Sequence, residues 1–90
     1  MKKPIVLRRV VLGARHSSTG EARHYHGNVE LPVPALLRIA KYEDDNGYYL
    51  LYLDADGREL TDTYHATLEE ALAQAEFEFN VRPEEWEHVK

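Results

Sequence analysis

The run Tyr48-Tyr49-Leu50-Leu51-Tyr52-Leu53 constrains this chain most: six residues without a polar break, held between Glu43-Asp44-Asp45-Asn46-Gly47 and Asp54-Ala55-Asp56-Gly57. In an extended strand successive side chains point to opposite faces, so Tyr48, Leu50 and Tyr52 share one face while Tyr49, Leu51 and Leu53 share the other. Both faces are apolar or aromatic, which requires a central strand covered on two sides. The Asn-Gly pair before it supplies the positive φ values of a tight hairpin turn, and Asp56-Gly57 after it repeats the turn chemistry. Leu36 to Tyr42 and Arg58 to His65 are therefore the flanking strands of an antiparallel meander, whose register is local and easily formed.

Thr67-Leu68-Glu69-Glu70 then matches a capping box, with the threonine hydroxyl on an orphan amide and Glu70 reaching back. At 100° per residue, Leu68, Ala71, Leu72, Ala75 and Phe79 form one stripe that faces the sheet, with Glu69, Glu70, Glu76 and Glu78 beside or opposite it. Asn80 takes the left-handed conformation that ends a helix, and Pro83 starts a short turn that carries Trp86. Phe77 points away from the stripe, with Ala73 and Val81 near it. Two covers fit it: the chain's own tail through Trp86, or a dimer or partner seated on a Phe77/Trp86 patch.

Upstream, Pro4 to Leu12 is apolar on both parities and reads as a strand buried on much of both faces. Residues 13–27 hold Ser17-Ser18-Thr19-Gly20 and little apolar content, a flexible loop with room for a short strand near His24 to His26. Pro32 and Pro34 confine Val29 to Pro34 to an edge strand or connector. The expected architecture is α+β: an antiparallel meander of three to four strands, one main helix on one face, and a short C-terminal helical turn.

Ninety residues, 43% hydrophobic and 30% charged, suffice for one domain over 1–90 and not for two cores. The absence of cysteine excludes disulfides, thiol nucleophiles and cysteine metal sites. Ile5 to Leu12, broken by Arg8 and Arg9, is neither a signal segment nor long enough to cross a bilayer, so a soluble cytoplasmic protein is expected. The net charge of −5 is unevenly spread. Residues 1–42 carry eight Lys or Arg against two acids, and residues 43–90 carry three against fourteen. The net acidity argues against loose binding along a phosphate backbone.

No motif carries an enzymatic reaction. His24-Tyr25-His26 places two imidazoles on one face of a strand, the start of a metal site, yet no third ligand converges from the sequence, and surface histidines are the simpler reading. Asp54-Ala55-Asp56-Gly57 resembles the opening of a calcium loop, but the twelfth position, where such a loop needs a bidentate glutamate, is His65. Asp62 beside His65 has the elements of an oriented acid/base imidazole without a nucleophile; hydrogen bonds around the strand-to-helix corner are the simpler role. The tyrosines beside Arg38 and Lys41 suggest stacking platforms for single strands, but alternation on a central strand already accounts for Tyr48, Tyr49 and Tyr52. No cofactor site emerges.

From Gly47 to Trp86 the tyrosine-rich strand, Asp-Gly turn, Asp62-Thr63-Tyr64-His65 corner, acidic Gln74-Ala75-Glu76-Phe77-Glu78 helix and late Trp86 resemble a group of small uncharacterised bacterial proteins, a resemblance that implies no activity. The order of strand, turn, strand and Thr-Leu-Glu-Glu-Ala helix is distantly similar to HicB-type antitoxins; their Pro-Asp-Leu-Pro-Gly turn and C-terminal DNA-binding segment are absent, so only a fold analogy is implied. The functional expectation is a non-enzymatic protein-interaction module, antitoxin- or immunity-like, with Glu69, Glu70, Glu76, Glu78, Phe77 and Trp86 meeting a basic protein partner. A homodimer through the aromatic pair is a further option. The alternative is a nucleic-acid-binding accessory protein using Arg8, Arg9, Arg38 and Lys41.

Overall fold

The tyrosine-rich run does form an interior strand, paired on both sides. In the computed structural model, which describes residues 4–13, 25–27, 29–30 and 32–89, the elements are β1 (Ile5–Val11), β2 (Tyr25–His26), β3 (Val29–Glu30), β4 (Leu36–Lys41), β5 (Tyr48–Leu53), β6 (Glu59–His65), α1 (Leu68–Phe79), a 3-10 turn (Pro83–Glu85) and β7 (Glu87–His88). One antiparallel sheet runs in the order β6-β5-β4-β1-β7, and β2 with β3 makes a separate two-stranded ladder. The fold is α+β, with a β4-β5-β6 meander that forms one side of the sheet and ends at β6 as an edge strand.

Two layers make the main core. Leu37, Ile39, Leu50 and Tyr52 from the sheet meet Ala71, Ala75 and Phe79 from α1, closed by Val10, Val81 and Trp86, with Leu68 and Leu72 partly buried against them. A large apolar side chain buried in this way contributes about 1.5–3 kcal/mol. On the sheet's other face Ala40, Leu51 and Leu53 are also buried, so β5 is covered on both sides as its sequence requires.

Three features depart from the sequence expectation. The sheet has five strands, because the tail returns to it: Glu87 and His88 pair with Arg9 and Arg8, and the Val89 amide donates to the Leu7 carbonyl at 3.0 Å. β1 is not buried on two faces; Val10 alone is buried, while Ile5 and Val11 are exposed. Its outer neighbour has two residues and its register slips between Val6 and Arg8, so neither side offers β1 a continuous wall. Neither Asn46 nor Gly47 has a positive φ. The turn closes instead on Asp45, whose Oδ1 accepts the Gly47 amide at 2.9 Å, and glycine is needed because a Cβ there would lie 2.1 Å from the Tyr64 ring. Most of the 13–27 loop, including His24, lies outside the described residues; the short strand expected near His24 to His26 is present at Tyr25–His26, which pairs with Val29–Glu30 around Gly27 at φ 64.

The other punctuation forms as expected. Gly57 has φ 83, and Asp54 Oδ1 accepts the amides of Asp56 and Arg58, so the calcium-like acids serve the turn. Thr67 caps α1 by accepting the Glu70 amide, the threonine half of the expected box without the return bond from Glu70, and Asn80 ends it at φ 60.

Candidate functional site

The outer face of α1 presents Glu69, Glu70, Ala73 and Glu76 to solvent, with Phe77 half exposed among them. Acids in the first turn suit the positive end of the helix dipole. Glu76 lies in the last turn, where no basic residue answers it, and there a negative charge opposes the dipole.

Glu78 does not belong to this face. It is 1% exposed, and its carboxylate accepts from the Tyr52 hydroxyl and from Gln74 Nε2, the latter at 2.7 Å. By helical geometry Glu78 is seven residues from Ala71 and three from Ala75, which puts it on the flank of the buried stripe. A buried carboxylate is tolerable only with donors around it. Burial first, and the bond to Glu78 second, hold the Tyr52 phenol well above its ordinary pKa. The Tyr52 hydroxyl also lies 3.4 Å from Thr63 Oγ1, which is 2.7 Å from His65 Nε2, so a polar chain runs from the core to the strand-to-helix corner.

Phe77 stays half exposed, whereas Trp86 is buried. The latter is 4% exposed and sits in the main core beside Val10, Phe79 and Val81, its Nε1 without an acceptor among the described residues. The 3-10 turn directs the tail toward β1, where Glu87 can pair, rather than back across the helix. Of the two aromatics expected in one patch, Phe77 is half exposed on the helix surface and Trp86 is buried.

At the corner, Asp62 and His65 project to opposite faces of β6, since Asp62 pairs with Leu51 and His65 with Tyr48. Asp62 therefore does not orient the imidazole; Thr63 touches it instead. A register shift opposite Tyr52 and Leu53 makes Leu60 an extra residue, and the bulge turns Glu59 and Asp62 to the same face. Burial, the Asp62 charge and a hydrogen bond to Asp62 raise the Glu59 carboxyl above its usual range. Farther along that face Tyr49 meets Tyr42 and Tyr64 edge-on at centroid distances of 5.2 and 5.1 Å. Asp45 is held low by the Gly47 amide and then by the Tyr49 hydroxyl, whose own pKa the Asp45 bond pushes up to about 12.

The four basic candidates do not form one patch. Arg9 and Arg38 are cross-strand neighbours on the face away from α1, lining a cavity of about 70 Å³ with Val11 and Leu36, and Arg9 is held by a bidentate pair to Glu87 at 2.9 and 3.0 Å. Arg8 pairs with Ile39 and Lys41 lies over the Tyr48 ring, both on the opposite face. Among the described residues no cluster of three His, Asp or Glu has a metal-binding arrangement, and no helix is long and apolar enough to cross a membrane. Comparison with protein-family models, curated proteins and solved structures gives no match for this chain.

Proposed function

We propose that this chain is a non-enzymatic protein-interaction module, of the antitoxin or immunity-inhibitor kind, whose acidic helix engages a basic protein partner. The observation that carries the reading is the outer face of α1: Glu69, Glu70 and Glu76 exposed around Phe77, with no basic residue in the last turn. A helix shaped only for stability would place Lys or Arg near its C-terminus, where each contributes about 0.3–1 kcal/mol. The acids here serve electrostatic steering, and a half-exposed aromatic at their centre supplies the apolar contact that fixes a complex once formed.

Charge reversal is the direct test. A Glu70→Lys/Glu76→Lys variant, checked for an unchanged far-UV spectrum, loses the partners that the wild-type chain retains from its native host. An unchanged set of partners overturns the reading.

A further inference from the structure

The two edges of the sheet are built differently. On one side β7 is two residues long and its Glu87 is pinned to Arg9. Short edges and charge pairs are the usual means of blunting an edge. On the other side β6 runs for seven residues and has no strand beside it among the described residues; its bulge at Leu60, itself a blunting device, lies near one end and leaves Thr61–His65 regular. Its outward backbone amides and carbonyls form a template for one more strand.

The charges around that template select the occupant. On the face away from α1, the bulge at Leu60 brings Glu59 and Asp62 together, both exposed. On the α1 face β6 offers Thr61, Thr63 and His65, with Glu70 of the first helical turn close enough to bias the His65 imidazole electrostatically. A second copy of β6 would bring like carboxylates into register, which is destabilising across a strand pair. A strand with Lys or Arg on one face and small polar residues on the other meets complementary groups on both.

We propose that β6 is a docking edge that takes up an extended, alternating basic segment of a protein partner by β-strand addition, with Glu59 and Asp62 reading its cationic face. The proposal rests on the basic-partner reading above and adds the mode of capture: main-chain pairing along Thr61–His65 supplies affinity, and the paired carboxylates supply selection.

The test uses the full chain, labelled for amide detection, and three seven-residue peptides: alternating lysine and threonine, alternating glutamate and threonine, and the lysine peptide with a central proline. The lysine–threonine peptide slows amide exchange along β6, while the other two do not. Glu59→Lys/Asp62→Lys weakens that binding by about tenfold or more. Should this variant fail to fold, the wild-type titration repeated at rising salt decides the same question, since an electrostatically selected peptide is lost as salt is added. Binding of the basic peptide with changes confined to Glu69, Glu70, Glu76 and Phe77 overturns the edge and leaves the basic-partner reading standing. No binding by either lysine peptide overturns both. Protection of β6 amides in concentrated protein before any peptide is added overturns the proposal in favour of a second copy.

Discussion

The Glu78 carboxylate decides more about this core than any apolar residue does. It lies among side chains that bury almost all of it, so its oxygens must be met by donors, and Tyr52 and Gln74 are two of them. Removing one donor leaves a buried acceptor short, which costs about 1–3 kcal/mol. Tyr52→Phe is therefore expected to lower unfolding stability by that amount in urea titrations. Tyr52→Phe combined with Glu78→Leu removes both partners, and replacing a buried polar pair by apolar groups of similar size is often neutral, so the double variant recovers most of the loss. Equal or additive destabilisation in the double variant contradicts this pairing. The sequence held the clue on two sides: a tyrosine on the core face of a central strand needs a partner for its hydroxyl, and Glu78 falls on the helix arc that carries Ala71 and Ala75. Reading every glutamate as solvent-facing hides both.

At the scale of elements, what repeats locally is legible in the sequence and what depends on distant pairing is not. The β5 run, the Asp-Gly turn, the Thr67 cap and the Asn80 stop are each written within a few residues, and each forms. β7 has two residues and no period of its own; it exists because Trp86 is anchored in the core and the following backbone lands beside Arg8 and Arg9. Apolar content on both parities of β1 suggests two-sided burial, yet burial depends on what lies above and below, and α1 packs over β5 and β6 instead. The roles of the two late aromatics separate accordingly. Trp86→Ala opens the core and detaches the tail, for an expected loss of about 3–5 kcal/mol. Phe77→Ala, at a half-exposed position on the helix surface, changes stability by about 1 kcal/mol or less and weakens partner binding instead. Chemical denaturation of both variants checks the contrast; comparable losses would mean that Phe77 belongs to the core after all.

For the whole molecule, charge and fold make opposing demands as pH falls. The net charge of −5 shrinks as pH falls toward the pI of about 5.5, which relieves general repulsion and favours the compact state over that interval. His65 works against this: burial lowers its pKa, so the folded chain holds it neutral while the unfolded chain takes up a proton near its ordinary value of about 6.5. The unfolded state then binds more protons, and the His65 contribution falls as pH drops below that value, levelling once the folded pKa is passed. Asp45, held low by the Gly47 amide and the Tyr49 hydroxyl, and Glu87, held low by Arg9, add a second loss as pH falls through their depressed values. Glu59 has the reverse sign: its raised carboxyl stabilises the fold while protonated, and that contribution disappears as pH rises through its folded value. Melting temperatures measured between pH 8 and 3 should thus show wild type losing stability relative to His65→Gln as pH falls below about 6.5, since glutamine keeps a polar partner for Thr63 and does not titrate. Once the lowered folded pKa of His65 is passed, the two curves should fall together. Parallel curves across the upper interval would remove His65 as a source of acid sensitivity and leave that response to the carboxylates that hold the β4–β5 turn and the β7 edge.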